Sequence, residues 1–239
     1  MILHIPHAST KIPEGINLTQ EMKDEMNLMT DWYVDDLFDI GVGTEIVFPY
    51  SRLFCDVERF INDPLEKIGR GIIYKKLLNG NNFIHNFPEN DAMKLYNEHH
   101  YKLNYEARFI VSYYPIIIVD CHSFNNEPLP YEKNRKKRPD FCIGIDEKQT
   151  SKKLVDDIIN IIRNHNLSVE INFPYEGTII PSISQKDSFN SIMIEVNKKL
   201  YLTKNFKKSR NFLNVSKIIC EILTYINEYE DNLNNWHWK

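Results

Sequence analysis

Short apolar runs bounded by turn residues recur along the chain, and each has the length of a buried strand. They predict six strands, at residues 2–5, 45–48, 116–119, 141–145, 168–171 and 191–196. Between them, apolar residues fall three and four positions apart, which is typical of amphipathic helices. These helices are expected at residues 19–41, with one break or bend, and at residues 89–112, 151–164 and 215–232.

Strand and helix therefore alternate, and a parallel crossover needs a helix to return the chain. We expect an α/β fold in three layers, with a mixed, mostly parallel sheet and helices on both faces. Ligands of such sheets gather at the carboxyl ends of the strands. Candidate chemistry is therefore sought in the polar residues that follow each strand.

Length and charge narrow the class of protein. The 239 residues fit one domain, expected over residues 1–239, and 42% hydrophobic residues can build a sizeable core. A net charge of -4 gives no general attraction to polyphosphate, so a small-molecule substrate is favoured over nucleic acid. The basic run at residues 133–138 is interpreted as a solvated loop without a role.

Cysteine usage and the first residues bear on the compartment. The four cysteines form no C-x-x-C pair and three lie in apolar runs, which is typical of a reducing cytoplasm. The first residues contain no basic segment followed by a long apolar stretch, so we expect neither a signal peptide nor a membrane-spanning helix. The sequence leaves the oligomeric state open.

Two predicted strands run directly into histidines. His7 follows the first strand, and the strand at residues 116–119 leads into Asp120-Cys121-His122-Ser123. Imidazole is a common zinc ligand, and a carboxylate usually orients it through the other ring nitrogen, a task that suits Asp120. A turn-bonding histidine and a capping Asp120 remain the structural alternatives.

A hydrolytic zinc site typically has three protein ligands and one open position. Asp31 and Asp35 lie four residues apart, on one face if the segment is a helical turn. Either carboxylate could be the third ligand. Asp31 is expected to be the more buried of the two, because it is next to the apolar Trp32.

One carboxylate, Glu195, lies among apolar strand residues, where a charge is costly unless it is paired or functional. Such a group can act as a general base for a metal-activated water. The alternative is a strand-end glutamate that faces solvent.

Two arginines, Arg52 and Arg59, flank Asp56 after the second predicted strand. Their guanidinium groups could bind an acidic substrate or stabilise an oxyanion. They could equally form internal salt bridges with Asp56.

In their order and spacing these residues resemble the N-formylglutamate amidohydrolase family, whose fold is similar to zinc carboxypeptidases and phosphorylase-like α/β domains. The resemblance spans most of the chain. It rests on Pro6-His7-Ala8, Asp31, Ser51-Arg52, Asp56, Arg59, Asp120-Cys121-His122-Ser123, Pro139-Asp140, Asn172, Pro174-Tyr175, Gly177 and Glu195-Val196-Asn197. The Tyr96 and His100 pair also matches a family pattern.

The resemblance implies a metal-dependent hydrolase that cleaves an N-acyl amino acid, as in histidine catabolism. It implies His7, Asp31 and His122 as metal ligands, with Glu195 as general base. Arg59 would stabilise the oxyanion, and the substrate would meet Arg52, Arg59, Ser123, His100 and Asn172. Zinc is the expected metal, although manganese, iron or cobalt would suit the same ligands.

Two departures concern the substrate. The sequence Asp56-Val57-Glu58-Arg59 has an acid where the family has an asparagine, and the turn at residues 175–178 has fewer glycines. Two alternatives therefore remain: a zinc metallopeptidase acting on short or cell-wall peptides, and an inactive metabolite-binding module of the same fold.

Overall fold

A computed structural model describes residues 1–83, 87–183 and 189–236. In this part of the chain, six strands form one sheet. The strands are β1 (Ile2–Ile5), β2 (Thr44–Val47), β3 (Ile116–Phe124), β4 (Phe141–Ile145), β5 (Val169–Ile171) and β6 (Phe189–Asn197). All six match strands predicted from the apolar runs.

The sheet is mixed and mostly parallel, as predicted. Its strand order is β2-β1-β3-β6-β4-β5, and every neighbouring pair is parallel except β4 with β6. The central strands β3 and β6 pair over nine residues, from Ile116 opposite Phe189 to Phe124 opposite Asn197. This long pairing holds their carboxyl ends in fixed register.

The described residues form five α-helices, four of which cover the two faces of the sheet. They are α1 (Gln20–Met29), α2 (Val34–Phe38), α3 (Glu89–Val111), α4 (Lys152–Asn164) and α5 (Phe212–Trp236). Helices α2, α4 and α5 pack on one face, and α3 packs on the other. The three-layer α/β architecture is therefore confirmed. Among the described helices, none is long and apolar enough to cross a membrane.

The predicted break at residues 19–41 separates α1 from α2. Tyr33 has a left-handed backbone (φ 60) immediately before α2. Asp31 precedes this turn and is not helical, so the expected helical turn that would carry Asp31 and Asp35 on one face is wrong. Asp31 is buried, whereas Asp35 is exposed.

Side chains of the central strands β3 and β6 point alternately to the apolar core on one face of the sheet and to the candidate site on the other. Val119 and Cys121 join the apolar layer beneath α2 and α5, together with Ile194 and Val196 of β6. Because successive side chains of a strand point to opposite faces, Asp120, His122 and Glu195 lie on the other face. The sequence predicts that β3 ends at Val119, but pairing with β6 extends it to Phe124, so Asp120 and His122 lie within the strand.

Candidate metal centre

Three buried side chains converge at the carboxyl ends of β1 and β3. Ligand atoms of His7, Asp31 and His122 all lie within 4.8 Å of one another. Asp31 Oδ2 is 3.7 Å from His7 Nδ1 and 3.3 Å from His122 Nδ1. The structure thus brings together the three predicted metal ligands and places Asp31, not Asp35, beside the two histidines.

The other ring nitrogen of each histidine is held by a carboxylate. His7 Nε2 donates to Asp56 Oδ1 at 2.8 Å, and His122 Nε2 donates to Asp120 Oδ1 at 2.9 Å. Carboxylates in this position fix the tautomer of metal-binding histidines and raise their basicity. With Nε2 of each ring occupied in this way, both Nδ1 atoms are directed at Asp31.

Asp31 itself is fixed from several sides. Its backbone N–H donates to the His7 carbonyl at 2.9 Å, which ties the segment before α2 to the end of β1. Ser123 Oγ donates to Asp31 Oδ1 at 3.1 Å, and Lys198 Nζ lies 3.5 Å from the same oxygen. Burial raises the pKa of Asp31, but the nearby side chains of His122 and His7 and the charge of Lys198 hold it well below its usual value. Asp31 is therefore ionised and preorganised.

Buried polar atoms without a partner mark the same place. In the described residues, such atoms are His7 Nδ1, Glu58 Oε1, Arg59 Nε, Arg70 Nη2 and Glu195 Oε2. Unsatisfied buried polar atoms are rare, and each calls for an explanation such as a bound ion or ligand. All but Arg70 belong to residues that line one cavity of about 620 Å³. Its size is that of a small-molecule site.

Glu195 lies in this cavity with 5% of its surface exposed. It stands directly opposite His122 in the register between β6 and β3. Burial raises the pKa of Glu195 to about 8, since the charge of His122 only partly offsets burial and the neighbouring Asp31 and Asp120. A buried carboxyl group with a pKa near neutrality is suited to general acid and base catalysis.

The charges around the cavity fit a divalent cation. The carboxylates of Asp31, Asp56, Glu58, Asp120 and Glu195 are opposed by the cations of Arg52, Arg59 and Lys198. The five acidic side chains outnumber these three cations, and a bound divalent cation would favour the ionised form of each carboxyl group. Two imidazoles and one carboxylate form a donor set that binds zinc and related ions. The residues present therefore fit a divalent transition metal.

A second group, His4, Glu58 and Asp120, lies behind His122. His4 Nδ1 donates to Asp120 Oδ1 at 2.8 Å, and His4 Nε2 lies 2.8 Å from His99 Nε2. These hydrogen bonds link α3 and β1 to Asp120 and, through it, to His122. We interpret this group as a support for the first site.

The two arginines differ in their contacts with Asp56. Arg52 donates to Asp56 Oδ2 through Nη2 at 2.7 Å and Nε at 3.2 Å. Arg59 Nε is 3.5 Å from the same oxygen but makes no hydrogen bond. Both residues line the cavity. Arg52 therefore anchors the carboxylate that orients His7, whereas Arg59 retains an unpaired donor for a ligand.

The other predicted substrate contacts differ in their position. Ser123 lines the cavity but gives its hydroxyl to Asp31. Asn172 also lines it, although its side-chain oxygen accepts from the Ile145 and Gly177 backbone N–H groups. His100 is not part of the cavity lining, and its Nε2 bonds to the Val57 carbonyl at 2.9 Å.

Sequence reasoning missed two cations of the cavity wall. Lys198 is buried with 6% exposure and directly follows β6, so the rule of strand carboxyl ends could have found it. Arg138 belongs to the run interpreted as a solvated loop, but it is 3% exposed, lines the cavity and is paired with Glu132. The expectation of a solvated loop is wrong at Arg138, because Glu132 and the Asn125 carbonyl satisfy its guanidinium group.

Comparisons with known proteins indicate the family and the fold of the chain. The model of the family described as N-formylglutamate amidohydrolase matches residues 1–202. No curated protein matches the chain. The chain is similar in structure to an N-formylglutamate amidohydrolase from Ralstonia eutropha JMP134, with a TM-score of 0.80 and 19% identity over 97% of this chain and 94% of that one. A gene product of Agrobacterium tumefaciens gives a TM-score of 0.63 and 18% identity over 95% and 91% of the two chains.

Proposed function

The chain belongs to the N-formylglutamate amidohydrolase family, and from this premise we propose that it hydrolyses the amide bond of an N-acyl amino acid with the aid of a divalent cation. The family indicates an amidohydrolase. The metal, its ligands and the preferred acyl amino acid are the parts that we propose.

One observation carries the proposal. Ligand atoms of His7, Asp31 and His122 lie within 4.8 Å of one another, and Nε2 of each histidine is held by a further carboxylate. This arrangement serves a cation better than it serves packing, because it leaves His7 Nδ1 buried and unpaired. We propose zinc as the cation.

The chemistry follows from what the chain places around this point. A bound divalent cation would polarise the acyl oxygen and lower the pKa of a water molecule. Glu195 Oε2, buried and without a hydrogen bond, is available to take a proton from that water and return it to the leaving amine. Arg59 Nε, also unpaired, is available to the oxyanion or to the substrate carboxylate.

The proposal is tested with a substrate panel on metal-loaded protein. We expect release of free amino acid from N-formylglutamate or another N-acyl amino acid by the natural chain, and almost none from the Glu195→Gln variant. Cleavage of short peptides with no activity on N-acyl amino acids would replace the proposal by a metallopeptidase. Metal binding without any hydrolysis would instead support a binding module.

A further inference from the structure

The outer face of α3 and the turn that follows it carry exposed aromatic side chains. Tyr101, Tyr105, Phe109 and Tyr113 lie four residues apart and are 70%, 56%, 56% and 63% exposed. Tyr114, next to the row, is 50% exposed. Ring contacts join Tyr101 with Tyr105, which stack, and Phe109 with Tyr113, which in turn contacts Tyr114. We call these five residues the aromatic ridge.

The aromatic ridge is not needed for packing α3 on the sheet. That task falls to the opposite face, where Ala92, Tyr96, His99, Leu103 and Ala107 are buried. Single exposed apolar residues are normal, but a contiguous apolar patch usually marks an interaction surface. Tyrosine and phenylalanine are also enriched in the centres of protein interfaces.

We propose that the aromatic ridge is the centre of a two-fold dimer in which α3 packs antiparallel against α3 of a second copy of this chain. Aromatic side chains bury roughly 150–250 Å² each, so at these exposures the ridge offers on the order of 600 Å². A standard interface needs about 800 Å² from each partner. The ridge with its charged flank therefore approaches the area of a stable dimer.

Charge complementarity selects the second copy as the partner. Along the ridge, Lys94, Glu98, Lys102 and Glu106 alternate in sign at intervals of four residues. An antiparallel copy presents the same alternation in reverse order. With the two-fold axis beside residue 104, Lys102 of each copy faces Glu106 of the other.

The same register suits the shape of the helix. Rows of side chains four residues apart form ridges that pack between those of another helix. In this register Tyr101 and Tyr105 each fall between two aromatic residues of the second copy. Tyr113 falls opposite residue 95, beside an open groove lined by Met93, Asn97 and Tyr101. One axis position therefore pairs Lys102 with Glu106 and interleaves the aromatic side chains, while Lys94 and Glu98 pair within their own helix.

Sedimentation equilibrium of the full chain tests the dimer. We expect a species of twice the 28.4 kDa chain mass, and Tyr105→Glu should weaken its association by at least about tenfold. Leu213→Glu is the matched control, because Leu213 is 70% exposed on α5, away from the ridge, and should leave the dimer intact. A monomer at all concentrations up to about 100 µM would overturn the proposal, as would a dimer insensitive to Tyr105→Glu.

Exchanging the charges of Lys102 and Glu106 tests the proposed register and distinguishes the specific dimer from nonspecific association. Lys102→Glu places two acids face to face and should weaken the dimer, whereas Lys102→Glu combined with Glu106→Lys should restore it. Failure of the double variant to restore association overturns the proposed register. A monomer that cosediments with vesicles of phosphatidylcholine and phosphatidylserine would assign the ridge to a membrane surface instead.

Discussion

Glu195 stands directly opposite His122 across the parallel strands β6 and β3, and both side chains lie on the face of the sheet away from α2, α4 and α5. Nine paired residues hold this register. The distance from the candidate base to the candidate metal ligand is therefore set by strand pairing and not by a loop. Because the strands hold Glu195 in place, a substitution there changes the chemistry of the side chain and not its position.

Replacing Glu195 by glutamine should separate catalysis from metal binding. The side chain is not one of the three ligands, so Glu195→Gln should retain the metal while the turnover falls by about 10²–10⁴. The measurement is kcat on the best substrate, together with metal content. Glu170→Gln, an exposed substitution on β5, should change neither. Full activity in Glu195→Gln would rule out its role as the base.

The pH dependence should report the same carboxyl group. Burial raises the pKa of Glu195 from 4.5 to about 8, and a bound cation lowers it again because it favours the ionised form. The base is the ionised form, so kcat/KM should fall as pH falls, with a midpoint between 4.5 and 8. Below the midpoint the loss is about tenfold per pH unit. If Glu195→Gln kept the same acidic limb, another group would be titrating.

Metal content should depend on both histidines. Elemental analysis should find about one equivalent of zinc or a related ion in the natural chain and little in His7→Ala or His122→Ala. Chelation should lower the melting temperature, because a cation at 100 times its Kd stabilises the fold by about 2.7 kcal/mol. His165→Ala serves as the control, since His165 is on the surface and pairs with Glu221. Equal loss of metal in that variant would point to a nonspecific effect.

The fold was predictable because its signals are local. Apolar runs located every strand in the described residues, and helical periodicity located the helices. It also predicted the break between α1 and α2, where Tyr33 has a left-handed backbone. The end of β3 was not predictable from polarity, since Asp120 and His122 stay in the strand through their pairing with β6. The sequence shows that polar residues follow an apolar run, but not how far the neighbouring strand extends.

The site was predictable where a residue adjoins a strand. His7 and His122 follow predicted strands, whereas Glu195 was singled out as a charge among apolar strand residues and Asp31 by its apolar neighbour. Partners brought in by long-range packing were harder to foresee, as with His4 and His99, which bond across ninety-five positions of the chain. Arg138 was misjudged because composition does not reveal that Glu132 folds back onto it.

The two arginines should differ in what their loss changes. Arg52 makes two hydrogen bonds to Asp56, so Arg52→Gln should weaken metal binding and cost about 1.5–3 kcal/mol of stability. Arg59 has an unpaired Nε, so Arg59→Gln should mainly raise KM or lower kcat while the metal remains. Arg163→Gln, exposed on α4, is the control. Identical effects of the Arg52 and Arg59 variants on metal content would contradict this division.

Gly144 of β4 lets the loop at residues 172–177 approach the sheet and form one wall of the cavity. A Cβ atom at Gly144 would lie 2.1 Å from the Gly177 carbonyl oxygen and 2.4 Å from Met193 Cε. Gly144→Ala should therefore displace this wall, costing about 1–3 kcal/mol of stability, and lower kcat/KM. Metal content should not change, since no ligand lies on the loop. Ile145→Val, a neighbouring change that removes one methyl group, should cost about 0.5–1.5 kcal/mol and leave the kinetics intact. Denaturant unfolding and steady-state kinetics of the two variants measure both effects. Unaltered kinetics in Gly144→Ala would mean that the loop does not shape the substrate site.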